Sequence, residues 1–203
     1  MPLSPTRVFY IVTFLAAATP GILLGWRVYT GDLGINPAET LLHQTGRDAL
    51  LLLFASLAVT PIRRVTGWNR VQLVRRMLGL WSFFYAVCHF GVYAVFNHLG
   101  DLAEIWADVV ERPFIFSGMF ALVILTALAV TSPSGMVRKL GRNWKRLHRL
   151  VYLAATAAVV HFAWGQKADI REPLLWGGVL AVLLGVRAIA AVARRRTARS
   201  SMG

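Results

Sequence analysis

The sequence predicts an all-α integral membrane bundle of six transmembrane helices with both termini in the cytoplasm. Three observations carry that reading. Hydrophobic residues make up 57% of the chain and charged residues only 15%, against about 25% charged in a soluble domain. The apolar residues fall in blocks of about 18 to 22, long enough to cross a ~30 Å hydrocarbon layer at ~1.5 Å per residue. Basic and acidic segments alternate between the blocks. The connections leave no room for a separate soluble domain, so residues 1–203 read as one transmembrane domain.

The first span covers about 8–26. Only Arg7 precedes it as a charge, and the apolar run continues through "PGILLGW", so it reads as a retained anchor rather than a cleaved signal. The second covers about 42–61, with Arg47 and Asp48 interrupting its start. The third, 77–96, follows Arg75 and Arg76, and the fourth is 114–131. The fifth, 148–165, lies in "NWKRLHRLVYLAATAAVVHFAWG", and the sixth, 174–191, precedes a basic tail. A single cysteine, Cys88, excludes an internal disulfide or a CxxC site. No internal repeat is evident.

The net charge of +13 is better explained by topology than by nucleic acid. Arg63, Arg64, Arg70, Arg75 and Arg76 fill one connection, and Arg138, Lys139, Arg142, Lys145, Arg146 and Arg149 another. Arg194, Arg195, Arg196 and Arg199 follow the last span. The acids Asp32, Glu39, Asp48, Asp101, Glu104, Asp108, Glu111, Asp169 and Glu172 lie in the other three connections. The positive-inside rule places the basic segments in the cytoplasm. They serve either as topogenic charge in contact with anionic lipid or as a docking face for an acidic partner or anionic cofactor, and the two can coexist.

Of the five histidines, His98 falls in an acidic connection and His43 near an interfacial helix start, so both are expected to be solvated and are given no role. His89 lies twelve residues beyond Met77, and His161 twelve beyond Arg149, where their spans begin on the same side. That is roughly 18 Å into the membrane for each. Ionisable residues at such depth are rare and usually functional, and two at matched depth suit one shared metal centre. A zinc or copper site needs three or four close ligands, and no Cys, Asp or Glu completes one. Haem needs one or two axial ligands, because the porphyrin supplies four nitrogens. Phe83, Phe84, Tyr85, Phe90, Phe162 and Trp164 are candidates to wall a porphyrin, with Gly91, Ala155 and Ala158 leaving room.

His148 stands thirteen residues before His161, roughly 20 Å along the axis, which suits a second, inner haem. At ~100° per residue the two side chains point about 140° apart on an ideal helix. The matching positions before His89 are Arg75 and Arg76. His148 is either an interfacial side chain or a cofactor ligand. Arg75 and Arg76 are either inner-face anchors or partners for haem propionates or a flavin phosphate.

The stretches "RRMLGLWSFFYAVCHFGVY", "ERPFIFSGMFALVILTALAVTS" and "RNWKRLHRLVYLAATAAVVHF" resemble the MsrQ (YedZ) family. Its members are haem-binding membrane subunits of periplasmic methionine-sulfoxide reductase systems, within the ferric-reductase-like transmembrane group. The likeness runs from "TPGILL" to "HFAWGQK" and the last span, and "WKRLHRLVY" with a histidine thirteen residues on is a specific motif. The resemblance implies six helices in a bacterial inner membrane and b-type haem, one or two, with His89, His161 and His148 as axial ligands to iron. It also implies electron transport without a substrate-processing site. The implied partner is a periplasmic molybdopterin methionine-sulfoxide reductase that repairs oxidised proteins. The implied donor is a cytosolic flavin reductase with FMN, or the quinone pool. The chain ends about ten residues after its last span, so any dehydrogenase is expected to be a separate protein.

Two other functions fit the same residues. One is a quinol-oxidising cytochrome b subunit of another periplasmic oxidoreductase. The other is a non-redox scaffold or transporter with structural histidines.

Overall fold

Each long helix begins and ends on residues suited to the task. Ser4 caps the first by accepting from the Arg7 N–H, and Pro5 takes the first helical position, where its missing N–H costs nothing. This helix, α1, runs Pro5–Thr30 and stops at Gly31, which takes the left-handed φ of 71° needed at a helix end. Asn36 caps α2, Pro37–Thr66, by accepting from the Glu39 N–H at 3.2 Å while donating to the Glu39 carboxylate at 3.0 Å. There follow α3 (Arg75–His98), α4 (Leu102–Glu111), α5 (Pro113–Val130), α6 (Ser134–Leu140), α7 (Arg142–Leu147), α8 (Val151–Gly165) and α9 (Arg171–Ser200). The computed structural model describes residues 4–166 and 170–200. No strand occurs among them.

Among the described residues, six helices are long and apolar enough to cross a membrane: α1, α2, α3, α5, the unit Arg142–Gly165, and Arg171–Ala190 of α9. These are the six spans expected from the sequence, the fourth shifted by one residue and the others longer. The fifth begins earlier than expected, at Arg142, and a 3-10 turn at His148–Leu150 joins α7 to α8. The connection between α3 and α5 also carries a helix, α4, capped by Asp101, which accepts from the N–H groups of Ala103 and Glu104.

Arg47 and Asp48 do not break α2. Asp48 is buried, and the Gln44 amide one turn earlier donates to both its oxygens at 3.2 Å. Arg47 pairs with Glu172 of α9 at 3.8 Å. Ionisable groups are tolerated within a span when they are partnered in this way.

The helices pack mainly as two pairs, α2 with α3 and α5 with α8, with α1 against α3 and α9 against α8 and α2. One core joins Leu50, Leu53, Phe54 and Leu57 of α2 to Ile124, Leu125 and Leu128 of α5, with Ala154 and Ala155 of α8. The two alanines are fully buried, and their small size lets α8 approach closely. A second core joins α1, α2 and α3 through Ala17, Leu52, Met77, Leu78 and Tyr85. The alternation of six spans gathers the basic connections at one end of the bundle and the acidic connections at the other. Asp169 lies outside the described residues, as do the side chains of Arg194, Arg195, Arg196 and Arg199.

Candidate haem-binding site

α3 carries His89 and α8 carries His161, and their ring centres stand 6.0 Å apart with the planes at 83°. Each ring is held from behind by a carbonyl of the next helix. His89 Nδ1 donates to Leu42 O of α2 at 2.9 Å, and His161 Nδ1 donates to Phe114 O of α5 at 2.7 Å. A carbonyl only accepts, so Nδ1 carries the proton and Nε2 of the neutral ring keeps its lone pair. Neither Nε2 has a hydrogen-bond partner among the described residues. Leu42 lies in the second turn of α2 and Phe114 in the first turn of α5, which puts the pair in the half of the bundle nearer the acidic end.

The rings reach those carbonyls because a glycine stands one turn beyond each. A Cβ on Gly46 would lie 2.9 Å from His89 Nδ1, and one on Gly118 would lie 2.7 Å from His161 Nδ1. Histidine, carbonyl and glycine form a unit, and the unit occurs twice, with the same 47-residue separation between histidine and carbonyl. The pair α2–α3 is therefore repeated by α5–α8. Neither this repeat nor either glycine stands out in the linear sequence. The signal lies in "TGRDAL" (45–50) beside "SGMFAL" (117–122), and in "AVCHF" (86–90) beside "AVVHF" (158–162), all at one offset. At the basic end the repeat diverges, since Arg76 stands where the second unit has His148.

The arrangement suits an iron porphyrin. A metal–imidazole bond is about 2.0–2.1 Å and the ring adds about 1 Å to its centre, so two axial imidazoles on one metal have centres about 6 Å apart. No group of three or more His, Cys, Asp or Glu among the described residues forms a cluster able to hold a bare ion. Two donors are too few for zinc and sufficient for a porphyrin that brings four of its own.

The other expected residues are distributed differently. Phe114 stacks on His161 at 6.1 Å, a wall residue the sequence analysis did not single out. Tyr85 is turned away, donating to Ala17 O and accepting from Gly21 N–H of α1. Phe84 and Trp164 are exposed on the outer surface. Phe83, Phe162 and Ala158 pack on the main core, and Phe90 lies against Tyr93. His148 is not brought to the pair. Its ring stacks on Trp144 at 4.0 Å and its Nε2 lies 3.1 Å from Thr131 Oγ1. Arg75 is half-buried near His148. Arg76 is exposed, in a groove with Tyr10, Phe14 and Trp81.

His43 is exposed, as expected. His98 corrects its expectation, because its side chain is only 13% exposed. Its Nε2 lies 3.0 Å from Tyr93 OH and 3.2 Å from Asp108 Oδ2. Asp108 is buried and also takes Tyr93 OH at 2.6 Å and Arg112 Nε at 2.7 Å. α4 folds back on the end of α3 and so covers a histidine that a plain loop would leave in water.

Residues 45–159 match the family described as ferric reductase like transmembrane component. A relative from Rhodospirillum rubrum, named protein-methionine-sulfoxide reductase heme-binding subunit MsrQ, is 46% identical over 96% of this chain and 94% of its own length. Relatives of the same name from Xanthomonas axonopodis pv. citri and Xanthomonas euvesicatoria pv. vesicatoria are 45% and 46% identical, each over 92% of this chain and 88% of their own length. The family match covers more than half of the chain and the relatives' matches more than nine-tenths of it, and the chain therefore belongs to the ferric-reductase-like transmembrane family and, within it, to the MsrQ heme-binding subunits.

Proposed function

We propose that the protein is the haem-carrying electron conduit of a methionine-sulfoxide reductase system in the bacterial inner membrane. The observation that carries this reading is the His89–His161 pair, with ring centres 6.0 Å apart and neither Nε2 hydrogen-bonded among the described residues. A b-type haem held there supplies a one-electron carrier when bound. The chain's own residues fix its place. Leu42 O and Phe114 O set the tautomer, orientation and basicity of the two imidazoles. Gly46 and Gly118 let the rings seat, and the apolar spans exclude water.

The basic end faces the cytoplasm by the positive-inside rule, with both termini there and the acidic connections in the periplasm. Electrons arrive at the basic end from a cytosolic flavin reductase with FMN or from the quinone pool. They leave at the acidic end for a periplasmic molybdopterin methionine-sulfoxide reductase, which repairs oxidised proteins. His148 is assigned to an inner site as a second iron ligand, with Arg75 and Arg76 toward propionates or a flavin phosphate. One continuous domain carries the whole path.

Purified protein should show the absorption bands of a low-spin b-type haem. Their absence would leave a scaffold or transporter. Reduction by flavin reductase with NADH, set against reduction by a quinol, then identifies the donor and separates this reading from a quinol-oxidising cytochrome b.

A further inference from the structure

α4 packs against α3 and α5 at the acidic end of the bundle, and its ten residues divide into three sectors. At ~100° per residue, the buried Ile105, Asp108 and Val109 share an arc of about 100° that faces the protein. Leu102, Trp106 and Val110 share a neighbouring arc of about 80°, yet they are 77%, 69% and 67% exposed. Glu104 and Glu111 lie within about 20° of each other and about 150° from the centre of that apolar arc. Both are exposed.

A surface helix in water carries one apolar face and turns it inward. α4 carries a second one and leaves it outside, and an exposed apolar stripe marks contact with a protein or a membrane. The tethers of the helix favour the membrane. Residues 99–101 alone separate α4 from the end of α3, and Arg112 alone separates it from α5. Both neighbours are membrane spans, so α4 cannot stand clear of the bilayer surface. Asp108 fixes its inner arc through Tyr93 and His98 of α3 and through Arg112. Trp106 holds the middle of the apolar arc, and tryptophan is enriched where hydrocarbon meets water. With the stripe turned to lipid, the two glutamates on the far side point to water.

We propose that α4 is a membrane-surface helix, with Leu102, Trp106 and Val110 seated in the lipid leaflet at the acidic end and Glu104 and Glu111 turned to water. Such helices bury their apolar face about 5–10 Å into the boundary between headgroups and acyl chains. α4 is then held from two sides, by Asp108 on the protein and by the leaflet, across the end of the span that carries His89. This placement does not depend on the haem reading.

The test uses the full chain in phospholipid nanodiscs, with Cys88→Ser removing its single cysteine. Leu102→Cys, Trp106→Cys, Val110→Cys, Glu104→Cys and Glu111→Cys are made one at a time in that background and spin-labelled. Collision with oxygen, which concentrates in lipid, is compared with collision with a water-soluble nickel chelate. Labels at 102, 106 and 110 should favour oxygen, and labels at 104 and 111 should favour nickel.

The same preference at all five positions, for either reagent, overturns the proposal. So does a stripe open to nickel that closes only when a periplasmic methionine-sulfoxide reductase is added, which would make it a protein-docking face. Should the cysteine variants fail to fold, lipid brominated on its acyl chains makes the same test. The emission that Trp106→Phe removes should be quenched by the bromine, and unquenched emission overturns the proposal.

Discussion

A methyl group built on Gly118 would stand 2.7 Å from Nδ1 of His161, closer than a Cβ can approach. In Gly118→Ala the ring must leave its seat and its bond to Phe114 O. Gly46→Ala does the same to His89 at 2.9 Å. Alanine is the better helix former by about 1 kcal/mol, so the helices themselves should not suffer. Each variant should lose most of its low-spin haem, read as the haem-to-protein ratio and the absorption spectrum. Gly25→Ala, on α1 where an added Cβ meets nothing within 4 Å, should match wild type. Normal low-spin haem in Gly118→Ala would show that the contact does not position the ligand.

The alternating charge predicts opposite sides of the membrane for residues 104 and 203. Reporter fusions at those positions should report periplasm for the first and cytoplasm for the second. The same side for both would overturn the six-span path.

The spans and the matched histidines were legible because membrane length and burial cost leave plain marks on composition. Asp48 looks like an interruption because a hydropathy window scores its charge and not its bond to Gln44, one turn earlier on the same helix. His98 looked solvated because α4 folds back over it, and a ten-residue helix between spans gives little signal beside them. Gly46 and Gly118 were readable only by sliding the chain against itself, since glycine in an apolar run is common. Tyr85 was taken for a wall residue because position along α3 gives depth and not direction. Its hydroxyl binds α1 instead.

If a flavin donor docks at the basic end, its rate should depend on salt. The Debye length falls from ~10 Å at 0.1 M to ~3 Å at 1 M, so the pull of the arginines and lysines in segments 62–76 and 132–149 on an anionic donor is largely screened. Reduction by flavin reductase with FMN should slow as salt rises over that range. Reduction by a lipid-soluble quinol should change little. Equal salt dependence for the two donors would count against electrostatic docking there.

Asp108 joins Tyr93 and His98 on α3 to Arg112 before α5, and so holds α4 in place. Asp108→Ala would leave the Tyr93 hydroxyl and His98 without their carboxylate and should lower stability by roughly 1–3 kcal/mol. Tyr93→Phe should cost about 1 kcal/mol. Because the two share one bond, the double variant should be less destabilised than the sum. Thermal unfolding of the purified protein measures all three, and strict additivity would mean that the short Tyr93–Asp108 contact contributes nothing.

His89 and His161 should behave as one centre. If they hold one haem, replacing either with alanine would remove one of its two ligands. Each single variant should lose most of the haem or turn it high-spin, and each should abolish electron delivery. The double variant should be little worse than either, as expected of a coupled pair. His148→Ala should leave the spectrum of this haem intact, because the His148 ring lies against Trp144 and Thr131 rather than in the pair. It should slow electron uptake from the donor side if a second site is built on it. His43→Ala, on an exposed side chain, should change neither property. Normal haem content and low-spin spectra in both His89→Ala and His161→Ala would end the shared-ligand reading, and the conduit built on it would fall with it.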